Sequence, residues 1–171
     1  MTPAAPEPWL RGPVPRIPAL LQPAAHAFLM AREDIQAALA GVTVEQLWLE
    51  PGGAASLGFH LGHLAGSTGR LLTYARGEAL SDAQRAALAR ERELSTSRPP
   101  LEELLAAWDG VVAAALEQLA ATPERALAEP RAVGRARLPS TVMGLLFHAA
   151  EHAARHTGQI VTTAKLVRSR A

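Results

Sequence analysis

Of the six histidines in this 171-residue chain, five fall in two short stretches: His60 and His63 in LGFHLGHLAG, and His148, His152 and His156 in FHAAEHAARHTGQI. Imidazole titrates near neutral pH and is the commonest metal ligand, so clustering of this kind points to proton transfer or to a cation. The spacing favours the cation. His152 and His156 are four residues apart, which on a helix stacks their rings one turn above the other, so that one metal ion can take a nitrogen from each. Two buried core histidines would instead need two separate hydrogen-bond partners. One imidazole from the first stretch, added to the pair, makes a three-nitrogen site with positions left open. Three neutral imidazoles suit zinc, nickel, iron or copper without choosing among them. The open positions could hold water with its pKa brought near 7, or could activate a substrate thiolate or carbonyl. No cysteine is present, which removes thiolate ligands, a cysteine nucleophile and disulfides together.

The elements that must position these rings read as helices. From Thr141 to Val167, residues Leu145, Ala149, His152, His156, Ile160, Thr163 and Val167 share one stripe at 100° per residue. Ser140 is the expected cap of this fourth helix. A second helix runs from Leu57 to Arg76 behind Ser56 as its cap and closes on Gly77. Its inner stripe is Leu57, Leu61, Leu64, Leu71 and Ala75; His60 lies nearer that stripe and His63 on its margin, so periodicity leaves open which of them joins the pair. A ligand at the margin would make the site reachable from solvent. The first helix begins near Ile17, with Pro23 in its first turns and Gly41 at its end, and the third spans Leu101 to Ala121 with Leu104, Leu105, Trp108, Val112, Leu116 and Leu119 inward.

Between these lie VTVEQLWLEPGGAAS, with Thr43 and Gln46 as a capping box; a charged stretch with a short helix over Asp82 to Glu93, expected to be solvated; and EPRAVGRARLPS, a loop or small hairpin. Residues 1–16 form a proline-rich tail or strap, and 17–171 a single helical domain. Four amphipathic helices without a convincing sheet predict an all-α, four-helix bundle.

Hydrophobic residues at 49%, charged residues at 19% and a net charge of +1 describe an ordinary globular chain. No basic stripe with interleaved aromatics is present, which argues against a nucleic-acid partner. No apolar run reaches the roughly 18 residues of a membrane span, and the N-terminus lacks a basic-then-apolar signal, so a cytoplasmic location is expected.

The sequence resembles the DinB-like (YfiT-like) family of metalloenzymes. Trp48, Pro51-Gly52-Gly53, Ser56-Leu57-Gly58 and then His63-Leu64-Ala65 look like that family's lead into its second helix, and His152-Ala-Ala-Arg-His156-Thr-Gly158-Gln159-Ile160 looks like its closing H-x-x-x-H-x-G-Q motif. The likeness extends from about Ile17 to Val167. It implies a four-helix bundle, a divalent metal (nickel or zinc foremost, iron as a further candidate) held by His63, His152 and His156, and a homodimer. Characterised members of the family include thiol-dependent transferases and isomerases, so a small-molecule substrate and a low-molecular-weight thiol are implied too. Gln159 is then either a hydrogen-bond partner that orients one of the ligands or a helix-packing residue. Arg155 is either a contact for an anionic substrate group or a surface residue. Gly158 suggests a close helix contact. His148 is expected beside the site but outside the ligand set, and His26 is read as structural.

Two rivals share these residues. His148-Ala-Ala-Glu151-His152 matches H-x-x-E-H, an inverted zincin pattern with Glu151 as general base, but no carboxylate follows Glu151 to complete the ligand set. The other rival is a non-catalytic, stress-linked dimeric bundle that binds a metal or a ligand.

Overall fold

The computed structural model describes residues 6–169. Helices α1 (Gln22–Leu39), α3 (Leu57–Ala75), α6 (Leu101–Ala121) and α7 (Val142–Arg168) are the long ones, and α2 (Val44–Trp48), α4 (Asp82–Arg90) and α5 (Leu94–Ser97) are short. Strands β1 (Pro130–Val133) and β2 (Leu138–Thr141) pair antiparallel, with Arg131 opposite Ser140. The fold is all-α with this one hairpin attached. Helix α7 packs against both α1 and α3, and α6 packs against the same two from the other side, so the four long helices close a bundle. Phe28, Ile35, Leu61, Leu64, Trp108 and Ile160 are fully buried at its centre.

Local signals act where the sequence puts them. Thr43 and Gln46 form a capping box on α2. Ser56 Oγ accepts from Phe59 N to cap α3, and Gly77 follows α3 at φ +80°. Helix α1 starts at Gln22, later than Ile17, because Ala19–Leu21 forms a separate 3-10 turn ahead of Pro23. Helix α7 is capped by Thr141, whose Oγ1 accepts from Gly144 N at 3.0 Å. Ser140, the expected cap, is taken up by the β1–β2 ladder instead. Leu71 is only partly buried, and its neighbour Leu72 takes the inward position.

The proline-rich segment from Pro6 lies along α1. Arg11 pairs with Glu33 at 2.6 Å, and His26 Nε2 donates to the Gly12 carbonyl at 3.0 Å. His26 is thus a tie for this strap, in keeping with a structural role. Residues 1–5 of the tail and the last two residues lie outside the described residues.

Among the described residues one helix, α6, is long and apolar enough to cross a membrane by length and composition, against the expectation that none would be. Its apolarity comes from the outer alanines as well as from the inner stripe, while Glu102, Glu103, Asp109 and Glu117 break any continuous run. Its Leu104, Trp108, Val112, Ala115 and Leu119 face the bundle core.

Candidate metal centre

Helices α3 and α7 pack along their length, so histidines on their facing sides must meet. His63, His152 and His156 each offer one ring nitrogen, and these atoms lie within 4.8 Å of one another. The His63 and His152 Nε2 atoms are 3.2 Å apart. His152 and His156 rings have centroids 4.5 Å apart, and His63 is 4.9 Å from His156. His60 is in the same cluster: its Nδ1 is 3.1 Å from His156 Nδ1, and the residue is 7% exposed. The two candidates on α3 therefore both face α7. The inner one, His60, is buried, while His63 keeps 25% of its side chain exposed and leaves the site open to solvent.

The charged stretch expected to be solvated contributes to this site. Most of it is exposed, but Glu91 turns inward with 13% of its side chain accessible. Its Oε2 accepts from His63 Nδ1 at 3.1 Å and its Oε1 accepts from Arg70 Nη1 at 2.5 Å. Because a carboxylate only accepts, His63 carries a proton on Nδ1, which in the neutral ring leaves the lone pair on Nε2, the atom that faces His152. This is the carboxylate–histidine arrangement that orients metal-binding imidazoles. Phe59, one turn earlier on α3, stacks on the His63 ring at 5.9 Å and 2°.

The surroundings favour the neutral form of the two donors on α7. Burial, then the neighbouring His152, His63, His60 and Arg155, push the His156 pKa down to about 4. Burial foremost also lowers His152 and His60, with His63 next for both. Burial works to raise Glu91, but its hydrogen bonds to His63 and Arg70 outweigh it and hold the carboxyl below its usual range.

The donor set fits a divalent cation. Two nitrogens at about 2.05 Å from one ion, at a tetrahedral angle, lie about 3.3 Å apart, and the His63–His152 pair is at 3.2 Å. A neutral imidazole keeps one unprotonated nitrogen for a cation, and burial favours that form at His152 and His156.

One consequence concerns pH. The unfolded chain takes up protons on these histidines near their ordinary pKa of about 6.5, whereas folded His156 does so only near 4. Metal-free protein should therefore keep its full stability above about pH 7 and lose part of it as pH falls from about 6.5 toward 4. Thermal melts in chelator across that range should show the slope, and a His156→Gln variant should flatten it.

The remaining sequence candidates lie around the site. His148 is exposed, with its ring 5.7 Å from His152 and its Nδ1 3.4 Å from Glu151. Glu151 is held by Arg155 at 2.5 Å, so neither His148 nor Glu151 joins the converging nitrogens. Gln159 is exposed, and no hydrogen bond from it to a ligand histidine is seen among the described residues. Instead it lines a groove of about 680 Å³ with His60, Arg155, Thr162 and Leu166. Gly158 is in the same groove, and a Cβ there would meet nothing within 4 Å. It makes no close helix contact.

Sequence reasoning missed Glu91, but a signal for it exists on α3. Gly58, Gly62 and Gly66 recur every four residues and leave one face of the helix bare. A Cβ on Gly58 would meet Trp48, one on Gly62 would meet Leu94, and one on Gly66 would collide with the Glu91 carboxylate. Three residues from the flanking segments use this face to come close.

A family profile described as the DinB superfamily matches residues 27–160, a span that includes α3, the Glu91 segment and the three converging histidines. No curated protein matches the chain.

Proposed function

We propose that this chain, which belongs to the DinB superfamily, is a metal-dependent enzyme in which His63, His152 and His156 hold one divalent cation for chemistry on a small molecule. The observation that carries the reading is the convergence of three ring nitrogens from α3 and α7, one of them oriented by a buried carboxylate. When bound, the cation supplies Lewis acidity toward a thiol or a carbonyl at its open positions. The protein's own residues do the rest. Glu91 fixes the His63 proton on Nδ1, burial keeps His152 and His156 unprotonated at neutral pH, and the groove beside His60 gives a small molecule a way in. Arg155 stands at that groove, so an anionic substrate group would meet a positive charge there.

The reaction we favour is a thiol-dependent transfer with nickel or zinc as the cation, in a cytoplasmic homodimer, as the resemblance to thiol-dependent members of the family implies. The test is a screen of metal-loaded protein with low-molecular-weight thiols and small electrophiles, following thiol consumption. Thiol-consuming turnover should appear with the metal and vanish on chelation. Full metal occupancy with no turnover of any thiol and no exchange of solvent at the ion would favour the non-catalytic binding bundle instead.

A further inference from the structure

The segment from α4 to α5, residues 82–97, buries almost nothing of its own, yet it sits in a defined place on α3. Two contacts settle where. Leu94 lies over Gly62, where an added Cβ would be 2.8 Å from Leu94 Cδ1. Glu91 lies over Gly66, and bonds both Arg70 and His63. Gln84 adds a third tie, donating to Thr73 Oγ1 at 2.7 Å. An exposed segment with few apolar contacts is free to open unless such ties hold it.

The Glu91–His63 bond belongs to two structures at once. It docks the segment on α3, and it decides which nitrogen of His63 is free. Resting on the metal reading above, we propose that Glu91 is a positioning residue for His63, and that docking of residues 82–97 and cation binding at His63, His152 and His156 reinforce one another. The physical basis is linkage. With the segment docked, His63 Nδ1 is protonated and Nε2 is presented toward His152; with it undocked, the ring is free to change tautomer and to turn. Whatever docking adds to cation affinity, the cation must return to docking by the same factor.

The test uses the full chain and cobalt(II) as the probe, with affinity read from its absorption bands in competition with a chelator. Three further readouts accompany it: hydrogen exchange of residues 82–97 with and without cobalt, the His63 ring nitrogens by NMR, and apo-protein melting. Two variants separate the roles. Glu91→Gln removes the carboxylate charge beside His63 while keeping an oxygen in place. Leu94→Ala loosens docking without touching any histidine or its carboxylate. Loss of such a carboxylate partner typically weakens metal binding about 10–100-fold, and that is the fall expected for Glu91→Gln. Leu94→Ala should bind cobalt several-fold more weakly and exchange faster over 82–97. In the parent, cobalt should slow exchange over 82–97, and the NMR spectrum should show Nδ1-protonated His63 before metal is added. A parent that binds cobalt while Glu91→Gln binds it within two-fold, or in which cobalt leaves exchange over 82–97 unchanged, overturns the inference and leaves the metal reading standing. A parent that binds no cobalt overturns the metal reading, and this inference with it. A role for Glu91 confined to stability would lower apo melting without moving the tautomer or the cobalt bands.

Discussion

Protein purified without a metal-affinity tag is expected to carry close to one equivalent of a divalent metal per chain, and His63→Ala, His152→Ala and His156→Ala are each expected to abolish it. Each substitution leaves two nitrogens where three converge within 4.8 Å. Loss of an outer-shell partner alone costs about 10–100-fold in affinity, and loss of a ligand itself costs more. Metal content by mass spectrometry reads the result directly. His148→Ala and Glu151→Ala serve as controls, because His148 is exposed and Glu151 is engaged by Arg155. Retained metal in His156→Ala together with its loss in His148→Ala would revive the H-x-x-E-H reading. An empty parent that stays empty after reconstitution with zinc or nickel would end the metal reading altogether.

The His60→Ala result carries separate information. His60 Nδ1 is 3.1 Å from His156 Nδ1, so one of the two donates a proton to the other in the metal-free protein. It is buried and neutral, and its loss opens a gap beside His156 without removing any of the three converging nitrogens. Metal should persist, with lower affinity.

What could be read in the sequence divides along the range of the interactions involved. The His152–His156 pair is a local fact, since four residues of helix fix its geometry whatever the rest of the chain does. The choice between His60 and His63 is not local. Both lie within one turn of α3, and each meets α7, one facing His156 and the other His152; only the crossing of the two helices distributes them so. Glu91 is further from reach. It is 28 residues from His63 in a charged stretch of weak periodicity, and its inward turn depends on glycines of another helix. The start of α7 differs by one residue from the expectation because strand pairing, a contact with residues 130–133, takes up Ser140. The membrane-length apolarity of α6 is masked in the sequence by four acidic residues scattered through the helix.

The same glycine face supports a prediction with a change of sign. Gly58→Ala should lower stability by about 2 kcal/mol, although alanine is the better helix former by about 1 kcal/mol. The added Cβ would be 2.5 Å from Trp48 Cη2 and 2.6 Å from Cζ2. Trp48 is 5% exposed, packed where α2 and the Pro51-Gly52-Gly53 turn lead into α3, so the ring has little room to withdraw. Overpacking typically costs about 1–3 kcal/mol, and a Cβ within 2.7 Å of three atoms of a buried indole belongs at the top of that range, which leaves about 2 kcal/mol after the gain in propensity. Gly110→Ala on α6 is the matched comparison. Its Cβ would meet nothing within 4 Å, and it should gain about 1 kcal/mol from propensity alone. For a chain of this size, about 1 kcal/mol moves the melting temperature by about 2–4 °C. Gly58→Ala should therefore melt about 4–8 °C lower than the parent and Gly110→Ala about 2–4 °C higher. Combining Gly58→Ala with Trp48→Leu should cost less than the two changes summed, because the clash is absent once the indole is gone. Equal shifts for the two glycine variants, or strict additivity with Trp48→Leu, would mean that the indole does not rest on Gly58. The family-like pattern of Trp48, the Pro-Gly-Gly turn and Ser56-Leu57-Gly58 would then need another physical basis. If the shifts separate as expected, that pattern is a packing device: it sets the start of α3, and the start of α3 sets how His60 and His63 are presented to α7.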